Sequence, residues 1–158
     1  NLIMEPAEGD EMQRPPIPVH QPLLDRALLL RTPLMVLASV ASTFGWFVYR
    51  TWQGAPAAQV QTETFTILAV CQWFNVLNCR SSRRSALSWD VLKNPWLVGG
   101  LGIGNLLHLA VIYWTPLSHF FHTVPIEAEQ FFAIGAVASW VLWAEEFRKF
   151  VARKRLLK

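Results

Sequence analysis

Charge is what this sequence has least of. Only 16% of its 158 residues are charged, against about 25% in an ordinary soluble domain, while 53% are hydrophobic. The net charge of +3 is too small to point to nucleic acid as a partner. Cysteine is scarcer still. Cys71 and Cys79 stand eight residues apart, about 12 Å along a helix, beyond the roughly 7 Å that a disulfide spans. A disulfide framework is therefore excluded. No secretory signal with a basic start, apolar middle and small-residue cleavage site opens the chain, which begins at Asn1. No useful internal repeat is present.

The few charges are segregated, and between them lie long apolar stretches. Hydropathy places four spans at about 27–49, 57–78, 95–114 and 126–147. Each approaches the roughly 20 residues that cross a hydrocarbon core about 30 Å thick. Gln59, Gln61, Glu63, Glu127 and Glu129 make the starts of the second and fourth the weakest. With four spans, the two termini and the central loop at 79–94 share a side. Thirteen of the fourteen Lys and Arg fall on that side and only Arg50 on the other. By the positive-inside rule both termini are cytoplasmic. The expected fold is all-α, an integral membrane four-helix bundle with a 1–26 connector, a 27–147 membrane domain and a basic 148–158 tail. The connector is acidic, then Pro-rich through Arg14-Pro15-Pro16-Ile17-Pro18, which reads as extended and solvated.

Three amides, Gln72, Asn75 and Asn78, run along the end of the second span into the basic cluster Arg80, Arg83 and Arg84. Spacings of three keep them on one side of a helix, drifting slowly around it. In a membrane such groups need partner helices, water or ions. In the third span Gly100 and Gly104 have the spacing that permits close helix approach, and His108 is expected to hydrogen-bond inside the bundle. His119 and His122 can meet on one helical turn, but no third ligand stands at metal-motif spacing. Glu145 and Lys149 form an i,i+4 pair that reads as a solvated salt bridge.

Several segments carry a family likeness. They are Glu5-Pro6 through Met12-Gln13-Arg14-Pro15-Pro16, Gln21-Pro22-Leu23-Leu24, and Phe74-Asn75-Val76-Leu77-Asn78-Cys79-Arg80-Ser81. Asn94-Pro95-Trp96-Leu97, Tyr113-Trp114-Thr115-Pro116-Leu117 and Glu145-Glu146-Phe147-Arg148-Lys149 follow. In this order and spacing the chain resembles the seventh to tenth membrane helices of P-type cation-transporting ATPases, closest to the calcium-pump and bacterial branch. The resemblance implies a support domain that braces the ion-binding helices of a longer pump. The chain itself lacks the Asp-Lys-Thr-Gly phosphorylation motif and any Gly-rich phosphate loop, so it has no catalytic activity alone.

The same resemblance implies ATP and magnesium for the full-length pump, with no cofactor held by this chain. The implied partners are the lipid bilayer, the pump's other membrane helices and cytoplasmic domains, and the transported cation, calcium above others. A potassium-exchanging pump grips an accessory outer subunit through a longer loop than residues 50–56 offer, so no such subunit is expected. The implied location is a multi-pass protein of a bacterial-type plasma membrane. Calcium pumps with two ions use a Glu on the eighth helix where this chain has Gln72, a neutral carbonyl in place of a full charge. Gln72, and after it Asn75, are the candidate cation-ligating residues. The alternative reading is a stand-alone, non-enzymatic membrane module that binds partner helices.

Overall fold

The computed structural model describes residues 26–79 and 94–156, with side chains for 29–78 and 94–151. Every regular element among them is a helix. In chain order they are α1 (Arg26–Trp52), α2 (Ala57–Cys79), α3 (Pro95–Tyr113), α4 (Thr115–Phe121), α5 (Ala128–Ala138) and α6 (Trp140–Leu156). The connector at 1–26, the central loop at 79–94 and the end of the tail fall largely outside the described residues, as does the side chain of Cys79.

Helices α1, α2 and α3 run close to the first three stretches read from hydropathy, for visible local reasons. The amide of Ala55 bonds the carbonyl of Arg50, and Gly54 takes a left-handed φ of 74°, a conformation that favours glycine and closes α1. Pro56 then precedes the first turn of α2, where a missing N–H costs nothing. Asn94 caps α3, its Oδ1 accepting from the amides of Trp96 and Leu97 at 3.2 Å, with Pro95 in the first helical position.

The stretch read as 126–147 holds two helices rather than one: α5 begins at Ala128, and α6, beyond Ser139, continues to Leu156. The Ser139 hydroxyl donates to the Ala136 carbonyl at 2.7 Å, while its amide still bonds the Gly135 carbonyl at 3.0 Å, so α6 follows α5 with helical backbone at the junction. The loop between α3 and α5 is also less open than its polar residues imply, because it contains α4. That helix ends at His122, whose φ of 57° is left-handed.

The core lies where α1, α2, α5 and α6 meet. In α1 the buried residues are Met35, Ala38, Ser39, Ser42 and Trp46, a stripe spaced for one helix face. Its small middle members let neighbouring helices come close. Ile67, Val70 and Cys71 of α2 meet this stripe, with Ile134, Ala138 and Val141 beyond. The α3 helix sits at the periphery, and its buried residues are His108 and Ile112. Two helices, α1 from Leu29 to Trp52 and α3, are long and apolar enough to cross a membrane.

Candidate functional site

The amide stripe of α2 divides. Each step of three residues turns 300° around a helix, which is 60° backward, so six residues move the stripe by about a third of a turn. Gln72 is exposed, Asn75 is half-buried and Asn78 is fully buried. Asn78 Nδ2 donates to the Val141 carbonyl at 3.2 Å and lies 3.7 Å from Met35 Sδ, tying α2 to α6 and α1. Its Oδ1 is buried with no hydrogen-bond partner among the described residues. The cross-helix bridge that Asn78's position implies is thus present. Gln72 instead joins Gln61, Phe65 and Leu68 on an uncovered face of α2, spaced four, three and four residues apart.

Beside that face runs the contact with α3. His108 Nε2 lies 3.2 Å from Thr66 Oγ1, and Thr66 in turn donates to the Thr62 carbonyl at 2.8 Å. Since the Thr66 proton is spent on that carbonyl, its oxygen accepts from the imidazole. Trp73 meets the His108 ring edge-on at a centroid distance of 5.6 Å. The bonded, interior His108 agrees with the sequence reading. The glycines agree only in part. A Cβ on Gly104 would lie 3.7 Å from Trp73 Nε1, whereas one on Gly99, Gly100 or Gly102 would meet nothing within 4 Å.

Two buried carboxylates organise the ends of the bundle, and neither role was foreseen. At one end Glu63, fully buried, accepts from Arg50 Nε at 2.8 Å and Nη2 at 3.0 Å, from Trp46 Nε1 at 2.9 Å and from Gln59 Nε2 at 3.0 Å. Gln59 also reaches Gln130 at the start of α5 at 3.1 Å. At the other end Glu145, also fully buried, is bound by Arg148 Nε at 2.7 Å and Nη2 at 2.8 Å, with Arg31 Nε at 3.4 Å. The signal was available: Arg31, Arg50 and Glu63 are lone charges in apolar surroundings, and such charges are buried in pairs.

The expected solvated pair of Glu145 with Lys149 is corrected by this arrangement. Glu145 and Lys149 are both buried, and Lys149 Nζ lies 3.6 Å from Glu146. At the end of α4 His119 and His122 are both exposed, and His122 Nδ1 meets the His119 carbonyl at 2.9 Å. Among the described residues no three His, Cys, Asp or Glu side chains cluster to hold a metal.

Comparison with known proteins places these features in a wider set. The family described as cation transporting ATPase, C-terminus, matches residues 1–151. Calcium-transporting ATPase 1 of Schizosaccharomyces pombe is 32% identical over 158 residues, which is 98% of this chain and 17% of that protein. The "Probable cation-transporting ATPase F" of Mycobacterium tuberculosis is 32% identical over 138 residues, 87% of this chain and 15% of its own length. Calcium-transporting ATPase type 2C member 2 of Mus musculus is 32% identical over 165 residues, covering 98% of this chain and 17% of that protein. The chain thus spans about a sixth of the length of these relatives.

Proposed function

The chain belongs to the P-type cation-transporting ATPases as their C-terminal domain, and from that premise we propose that it is the membrane support portion of a calcium-type pump. It crosses the membrane four times with both termini cytoplasmic, the spans being α1, α2, α3 and α5–α6. Its packed helices hold α2 so that the uncovered face carrying Gln72 meets the pump's ion-binding helices. ATP hydrolysis elsewhere in the protein drives the transport cycle. ATP and magnesium find no fitting residues here, since the sequence has no phosphorylation motif or phosphate loop and the described residues hold no metal cluster.

The observation that carries this reading is the division of the amide stripe. Asn78 is spent on packing, while Gln72 stands uncovered on a helix whose other faces are filled. A neutral amide exposed on a membrane helix needs a polar partner. In a pump, that partner is the cation or a polar group beside it. With a neutral carbonyl where two-ion pumps carry a charge, one calcium per cycle is the expected stoichiometry. Asn75, half-buried beside the same face, plays at most an auxiliary part.

The test is calcium binding by the intact pump. Gln72→Ala should weaken calcium affinity severalfold, about 1 kcal/mol for the loss of one neutral hydrogen-bonding group. Gln72→Glu should raise affinity or the number of ions bound. Unchanged affinity and stoichiometry in both variants would return Gln72 to a packing role.

A further inference from the structure

Between α1 and α6 runs a groove of about 1250 Å³ that the cation reading does not use. Leu34, Leu37 and Ala41 form one wall and Trp140 and Trp143 part of the other, while Glu146 and Arg148 make one stretch of the α6 side charged before Phe150 and Val151 continue it. Beside that stretch, two guanidiniums share the single Glu145 carboxylate, leaving a net charge of plus one. Arg148 spends Nε and Nη2 on Glu145, which leaves Nη1 with no partner among the described residues. Arg31 Nη2, behind the lining, is buried with no hydrogen-bond partner among the described residues.

Three properties of the groove select its occupant. Its walls are apolar, so they accept hydrocarbon. Its α1 side runs eleven residue steps, from Leu30 to Ala41, about 17 Å of helix at 1.5 Å per residue. That length is close to the roughly 15 Å hydrocarbon depth of one leaflet, half of a core about 30 Å thick. A transmembrane helix would need a groove about twice as long. The spare Nη1 of Arg148, the guanidinium that lines the groove, calls for an anionic oxygen acceptor, and a helix, whose carbonyls are satisfied internally, offers none. Basic pockets between membrane helices on the cytoplasmic side are suited to lipid headgroups.

We propose that the α1–α6 groove is a binding site for an anionic glycerophospholipid, its acyl chain along Leu34, Leu37 and Trp143 and its phosphate at Arg148. The lipid neutralises the excess positive charge around Glu145 and fastens α6 to α1. This proposal stands apart from the role of Gln72 and does not require it.

Native mass spectrometry of the full chain in mild detergent tests the site with dioleoyl phosphatidylglycerol and with dioleoylglycerol, which has the same chains and no phosphate. The wild type should retain one phosphatidylglycerol and hold dioleoylglycerol at least about tenfold more weakly, the scale of one charge-assisted hydrogen bond. Arg148→Gln should reduce phosphatidylglycerol retention by about the same factor. Ala41→Trp, which fills the groove without touching the charged cluster, should abolish it. Equal retention of the two lipids would overturn the proposal, as would undiminished phosphatidylglycerol binding by Ala41→Trp. A dimer that Ala41→Trp disrupts would assign the groove to a second copy and overturn it too.

Discussion

The two charged ends of the bundle use the same chemistry to opposite effect. At the Glu63 end one carboxylate receives four donors from three residues, and a single guanidinium balances its charge. At the Glu145 end one carboxylate faces two guanidiniums, and N–H groups of both Arg31 and Arg148 are left over among the described residues. The first end is saturated and joins α1 to α2 across a short turn. The second is under-filled and opens onto a groove. A closed cluster of this kind fixes geometry, whereas an open one invites a ligand. The contrast separates a purely structural ion pair from a binding feature within one small fold.

The sharpest way to break the comparison is to remove each carboxylate in turn. Glu63→Ala leaves Arg50 without its partner and strips Trp46 and Gln59 of an acceptor. Breaking a buried pair from one side costs about 3–5 kcal/mol, so this variant should show the largest loss. Reversible unfolding in mixed micelles would measure it, and Glu63→Gln should recover part of the loss by keeping acceptors for Trp46 and Arg50. A Glu63→Ala protein as stable as the wild type would show that water, not Glu63, satisfies Arg50.

Glu145→Ala should cost less, about 2–3 kcal/mol, because Arg148 and Arg31 can turn to an outside anion. The discriminating observation is the response to lipid. Added phosphatidylglycerol should restore stability to Glu145→Ala and leave Glu63→Ala unaffected. Equal response by both variants would erase the distinction between a closed and an open end.

Much of the fold was legible because apolar length and helix punctuation act locally. Asn94-Pro95 marks the start of α3, and Gly54 and Pro56 mark the turn between α1 and α2; each works through its own backbone geometry. The division at Ser139 was not legible, since a lone serine in an apolar run carries no stop signal and the backbone stays helical through it. The charged clusters were half legible. Arg50 and Glu63 stand thirteen residues apart across a turn, and their pairing follows once both are placed at the same end. Glu145, by contrast, is joined to Arg31 across more than a hundred residues, and only the antiparallel packing of α1 against α6 brings them together. The amide stripe shows the same limit. Its spacing reveals the drift around α2, but only neighbouring helices decide which member is buried.

Asn78 tests whether neutral cross-links add appreciably to what the two charged ends hold. It is wholly buried, it donates to Val141 of α6, and its Oδ1 has no partner among the described residues. Truncation therefore has two opposing consequences. Asn78→Ala forfeits a cross-helix bond worth about 0.6 kcal/mol in a membrane interior and leaves a small cavity. It also removes a buried acceptor that had lost its hydration without compensation, a relief of similar size. The net change should stay under about 1 kcal/mol, well below either carboxylate variant, in the same micelle unfolding measurement. Asn78→Asp puts a charge where its hydrogen-bond partner among the described residues, the Val141 carbonyl, is another acceptor, and it should destabilise far more than Asn78→Ala. If the two substitutions proved equally mild, water or an ion would have to reach Oδ1, and α2 would be solvated at a depth where its packing leaves no room for it.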